Sequence, residues 1–318
     1  LGEDEDFARQ VFQSACVAAV PWDLIDAARK CEEYDLMAHF LELLFENPLP
    51  REQWEVPPEA WILTQVFEAL YAKAPERAIA LWRASAGTAE PLRDPEAAEE
   101  FVLEFSSVLR GSSDDAQTLR PLLCALRENA FAQQVFQSAY MGSFQWDLID
   151  LARRCGECDL AVHFLDLLWE NPLPRAQWEV PLNRRILSGL LEELYPKEPE
   201  RAIALWRAAI GTDAPLTDPT AAQNMVFMMQ WVINRGANDP PSLRPLLCAL
   251  REETLARQVN QSATVDGFQR KLIRAARACG ERDLAEHFLD LLFENPLPQE
   301  RWEIRPKWFE QLRDSCAR

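Results

Sequence analysis

Apolar side chains recur three and four residues apart along most of this chain, and no segment sustains the alternation of a half-buried strand. The stretches WDLIDAARKCEE (Trp22 to Glu33) and YDLMAHFLELLFE (Tyr34 to Glu46) each predict an amphipathic helix. PPEAWILTQVFEALYAKA follows, then PERAIALWRASAG, with Pro75 set for a first turn and Gly87 just past the end. In DPEAAEEFVLEFSSVLRG, Asp94 is the predicted N-cap, Pro95 the first helical residue and Gly111 the stop. Thr118 is the predicted cap of TLRPLLCALRE, where Pro121 is tolerated because first-turn N–H groups have no partner inside the helix.

The pattern repeats. FARQVFQSA at Phe7 returns as FAQQVFQSA at Phe131 and as LARQVNQSA at Leu255, each 124 residues on. The chain therefore holds units 1–124 and 125–248 and a partial unit 249–318, read as one continuous array. Within a unit, the segments beginning at Asp35, Arg77 and Thr118 start about 41 residues apart, which makes three helical hairpins per unit. A helical hairpin cannot bury its apolar face alone and does so against the next one. The expected fold is all-α, a right-handed α-solenoid of such hairpins.

Comparing the copies separates kinds of position. Leu24, Ile25, Ala28, Leu36, Phe40, Leu41, Leu43 and Leu44 are the same in all three and predict a shared packing face. Trp22, Asp23 and Asp26 recur as Trp146, Asp147 and Asp150 but become Arg270, Lys271 and Arg274, which predicts an exposed face. The connector ENPLP appears at Glu46, Glu170 and Glu294. Pro48 lacks an N–H and disfavours helix at Asn47, so the helix stops there. Pro50 can open a short new turn, and Trp54 drops back as an apolar anchor.

Composition narrows the function classes. The chain has 318 residues, is 48% hydrophobic and carries a net charge of −18 with pI about 4.7. Nucleic-acid binders show a basic footprint, so the balance points instead to basic protein partners. Eight Cys without a scaffold-like spacing read as small buried residues of a reducing compartment. No apolar run reaches the roughly 18 residues of a membrane span. The acidic start LGEDEDFARQ, without an initiator Met, and the abrupt end read as a piece of a longer chain.

The three His residues, His39, His163 and His287, share one register. Asp35, Glu42 and Glu46 stand three, four or seven residues from His39 and form a polar stripe with it, repeated around His163 with Asp166 and around His287 with Asp290. Such a stripe is a solvated helix face, a tie between hairpins, or a cation-attracting wall. Cys31, Cys155 and Cys279 precede each His, and CGEC at Cys155 is a lone pair with no second pair to complete a metal set. No catalytic, phosphate-cradling or metal motif occurs, so neither a cofactor nor a catalytic residue is expected. The repeated Trp54, Trp178, Trp302, Trp82 and Trp206 read as packing anchors rather than stacking platforms.

The functional expectation is a non-enzymatic scaffold that holds a basic protein or peptide against an acidic groove. Its walls would be Glu42, Asp166 and Asp290 with their histidines, together with Arg83 and Arg207 from the next hairpin. A modular nucleic-acid reader is the alternative that Arg270, Lys271, Arg274, Arg277 and Arg282 keep open, and the targeting arm of a larger enzyme is another. The hairpin period is similar to that of HEAT and armadillo repeats, which implies a right-handed superhelix that binds proteins. YAKAP (Tyr71 to Pro75) and YPKEP (Tyr195 to Pro199) also resemble the helix-ending motif of the Ser-Lys-Trp-Pro repeat effectors of plant-pathogenic bacteria. Lys73, Pro75, Lys197 and Pro199 match it, while its Ser and Trp are absent. That resemblance implies secretion into a host cell and a host protein as target.

Overall fold

A computed structural model describes residues 2–13, 19–49, 54, 60–111, 117–236, 239–304 and 307–311. These residues are helical or in turns, and none of them forms a strand. The chain divides into two compact units, Leu1–Pro181 and Leu182–Arg318.

The first unit holds α1 (Gly2–Phe12), α2 (Ala19–Lys30), α3 (Tyr34–Phe45), α4 (Ala60–Tyr71), α5 (Pro75–Ser85), α6 (Pro95–Gly111), α7 (Arg120–Ala125), α8 (Asn129–Phe136), α9 (Ser143–Arg154) and α10 (Cys158–Trp169). The second holds α11 (Arg184–Leu194), α12 (Pro199–Ile210), α13 (Pro219–Gly236), α14 (Arg244–Ala249), α15 (Glu253–Asn260), α16 (Gly267–Ala278) and α17 (Arg282–Phe293). Each packs on elements close to it in the chain. In the first unit α2 pairs with α3 and α9 with α10, while α3 lies on α5, α5 on α7, α4 on α6 and α6 on α9. In the second, α11 lies on α13, α12 on α14, α13 on α16 and α16 on α17.

Local chemistry sets the helix ends largely as the sequence predicts. Asp94 Oδ2 accepts the Ala97 N–H at 2.9 Å, and Pro95 opens α6. Gly87 follows α5 at φ +67°, where a side chain would be strained. At α7 the prediction fails. The helix begins at Arg120 behind Leu119, and the Thr118 carbonyl instead accepts the Tyr71 hydroxyl at 3.0 Å. Tyr195 makes the same bond to Ser242 at 3.2 Å. Burial pushes both phenols up to about 12. A raised acid pKa means the neutral phenol stabilises the fold fully below the unfolded value near 10, and that stability is lost as pH climbs toward 12. Titration followed by phenolate absorbance should find both ionising late. Tyr71→Phe and Tyr195→Phe should shift the alkaline unfolding midpoint, and an unmoved midpoint would refute the assignment.

The connectors owe their shape to asparagine as much as to proline. Asn171 Nδ2 donates to the Phe136 and Ser138 carbonyls at 2.7 and 3.0 Å, and its Oδ1 accepts the Leu173 N–H at 2.8 Å. Asn295 repeats this toward Asn260, Ser262 and Leu297, and Asn47 toward Phe12 and Leu49. The indole N–H groups of Trp54, Trp178 and Trp302 close each connector on the carbonyl five residues back. Short turns at Arg175–Gln177 and Gln299–Arg301 start just after Pro174 and Pro298. Pro50 lies outside the described residues.

The repeated Ser of QSA and the Gln four residues before it are ties as well. Gln134 Nε2 donates to the Thr88 carbonyl at 2.6 Å, and Ser138 Oγ accepts the Leu92 N–H at 2.8 Å. Gln258 and Ser262 bind Thr212 and Leu216 in the same way. Each fastens a helix onto the loop that follows the preceding hairpin's Trp-bearing helix.

Three expectations need correction. The face of Trp22 is exposed at Asp23, Asp147 and Arg274 but not at its indoles: Trp22 and Trp146 are buried, the first beside Trp54 at 6.1 Å between rings and the second beside Trp169 and Trp178. The change to arginine keeps an aromatic contact, because the flat guanidiniums of Arg270 and Arg274 lie 5.8 and 5.2 Å from the Trp308 ring centre. None of the six described cysteines is buried: Cys31, Cys124 and Cys248 are exposed, Cys155, Cys158 and Cys279 half-exposed. Cys155 and Cys279 sit where a helix ends, and Cys124 and Cys248 on the outer side of a short one. Finally, the shared packing positions are not all buried in the first copy, where Leu24 and Leu36 are exposed and Phe40 half-buried.

Candidate functional site

The polar stripe of α3 meets α5. Arg77 grips Glu42 with two nitrogens at 2.9 and 3.1 Å and reaches Asp35 at 3.3 Å. Glu42 in turn raises the Arg77 pKa. His39 Nδ1 stands 3.9 Å from the same carboxylate. One helix on, both terminal nitrogens of Arg83 bind Glu128, and Arg127 reaches Glu157 at 2.7 Å. In the second unit Arg207 binds Glu252 at 2.5 Å, Arg251 binds Glu281, and His287 Nε2 sits 2.9 Å from Glu253. Arg83 and Arg207 hold the carboxyls of Glu128 and Glu252 below the usual range.

Of the wall residues, Glu42, Arg83 and Arg207 are tied to a later element and His287 to Glu253 on an earlier one, rather than left as bare charge. Glu42 answers Arg77, not Arg83. Asp166 and Asp290 are exposed on α10 and α17, and His163 is half-buried. These exposed pairs fix alignment and contribute little stability. Among the described residues, no three His, Cys, Asp or Glu side chains converge as a metal would require.

The second unit holds an open groove of about 740 Å³ between α12 and α14. Ile203, Ala204, Pro245 and Ala249 give it an apolar floor, with Glu200, Arg207 and Arg244 at its edges and the Cys248 thiol on its wall. Every lining residue recurs 124 positions earlier: Glu76, Ile79, Ala80 and Arg83 on α5, Arg120, Pro121, Cys124 and Ala125 on α7. Several are exposed, Ala80, Arg120 and Cys124 among them. Core helices have drifted far more, since α6 and α13 keep only Pro95, Ala97, Ala98, Val102 and Val108 in common. On α5 and α7 the exposed residues are thus unchanged along with the buried ones of the same helices. The identical PERAIALWRA and LRPLLCALRE segments carried this signal in the sequence, where only their period had been used.

Comparison of the chain with family models, with curated proteins and with solved structures finds no match.

Proposed function

We propose that this chain is a non-enzymatic protein-binding scaffold, a right-handed α-solenoid whose successive grooves seat apolar side chains of a partner. The observation that carries the reading is the groove of Ile203, Ala204, Pro245 and Ala249, whose residues recur as Ile79, Ala80, Pro121 and Ala125. Apolar anchors in shallow pockets supply most of the binding energy in such contacts. The net charge of −18 favours a partner rich in Lys and Arg and speeds its approach. The ties of Glu42 to Arg77, Arg83 to Glu128, Arg207 to Glu252 and His287 to Glu253 hold helices in register beneath that partner, with His39 beside Glu42. Exposed cysteines fit a reducing compartment, and the likeness to plant-pathogen effectors extends the reading to a host protein as target.

Selection from a random peptide display library on the immobilised protein tests this. Enriched peptides should pair one or two large apolar residues with flanking Lys or Arg, and added salt should weaken them. Ala204→Arg fills the groove and Ala80→Arg its counterpart position, both from exposed sites, and together they should lower affinity by at least ~10-fold. Peptides that are acidic, or that bind the filled variant equally well, would refute the proposal.

A further inference from the structure

The exposed apolar residues at the start of the chain form a coherent set. Phe7 is 66% exposed, Val20 56%, Leu24 36% and Leu36 44%. Their counterparts are buried: Phe131, Phe144, Leu148 and Leu160 in the second copy, and Leu255, Phe268, Leu272 and Leu284 in the third, none more than 7% exposed. Identical registers thus differ only in whether something covers them.

For the counterparts of Phe7, Val20 and Leu24 the structure records what the cover is. In the first unit, the indole of Trp82 on α5 stands edge-on to Phe131 and Phe144, with ring centres 5.3 and 5.8 Å away. The Arg83 guanidinium lies 5.4 Å from the Phe131 ring centre. α6 packs along α9, which carries Phe144 and Leu148. In the second unit α13 packs along α16, which carries Phe268 and Leu272. A polar bond accompanies the apolar contact, since buried Gln134 and Gln258 bind the carbonyls of Thr88 and Thr212. Gln10 occupies the same register and is exposed.

We propose that Phe7, Gln10, Val20, Leu24 and Leu36 form a docking socket for one further helical hairpin of the α5–α6 kind. Its indole covers Phe7 and Val20, the loop after it offers a carbonyl to Gln10, and its second helix covers Leu24. Apolar burial drives the docking, and the glutamine fixes its register. This socket is separate from the α12–α14 groove and does not depend on it.

The test extends the full chain by a second copy of residues 54–124 joined ahead of Leu1, which keeps the 124-residue register. Amide exchange in α1, α2 and α3 should slow by at least ~10-fold, and Tm should rise by about 5 °C. Placing Ala at the added copy of Trp82, or Leu24→Asp in the extended chain, should cancel the protection while helix content persists. In the unextended chain Leu24→Asp should leave Tm almost unchanged. Unaltered exchange in α1–α3, or an added segment that stays unfolded beside an intact chain, would overturn the proposal. So would a dimer of the unextended chain, seen by sedimentation, that Leu24→Asp abolishes, because the occupant would then be a second copy.

Discussion

Replacing Trp82 with alanine is expected to destabilise the Leu1–Pro181 unit by about 4–5 kcal/mol, a large share of a domain's usual stability. The indole is fully buried. It stacks on Phe105 and Phe101 at 4.3 and 4.9 Å between ring centres, and its N–H donates to the Phe101 carbonyl at 2.7 Å. It also meets Phe131 and Phe144 edge-on, so one side chain joins four elements: α5, α6, α8 and α9. Trp82→Phe keeps part of the stack and loses the hydrogen bond, and should cost roughly 1–3 kcal/mol. Urea unfolding should show an earlier transition with its slope unchanged. A loss below about 1.5 kcal/mol for the alanine variant would mean that neighbours close the cavity, and that the indole is not what joins these helices.

Asn295→Ala is expected to cost about 2–4 kcal/mol in the second unit. The side chain is buried, and its removal strands the Asn260 and Ser262 carbonyls and the Leu297 N–H at once. Asn295→Asp keeps the acceptor for Leu297 but turns a carboxylate toward two carbonyl oxygens, so it should be no milder. Pro296→Ala leaves the three bonds in place and should cost less than about 1 kcal/mol. Urea denaturation of the three variants decides the matter. Were the proline variant the worst, the connector would be set by backbone restriction and the asparagine would be secondary.

The helices were legible because burial imposes its period on each one, and the copies repeat that period. Trp54, Trp178 and Trp302 were readable as anchors for the same reason. The asparagine ties were not, since Asn295 binds residues 33 and 35 positions away and nothing local marks the pairing. Trp22 was misplaced because a swap to Arg270 suggested solvent, whereas a guanidinium plane can replace an indole against Trp308. Leu24 was misplaced because copies with one sequence were assumed to have one environment. At the candidate site the charged stripe was visible, but Glu42 finds its arginine 35 residues on, in a helix that begins at Pro75. The groove lay hidden among residues that the sequence offers equally to the core.

The ties in each unit are short in reach. The phenol of Tyr195, one of the longest, spans 51 residues to the Leu246 amide, and the Ser262 and Arg207 bonds span 46 and 45. Little of a unit's cohesion therefore depends on residues far along the sequence. Because the same ties recur 124 residues on, a gene copying error that inserts or deletes one whole 124-residue repeat leaves each remaining bond with an equivalent partner.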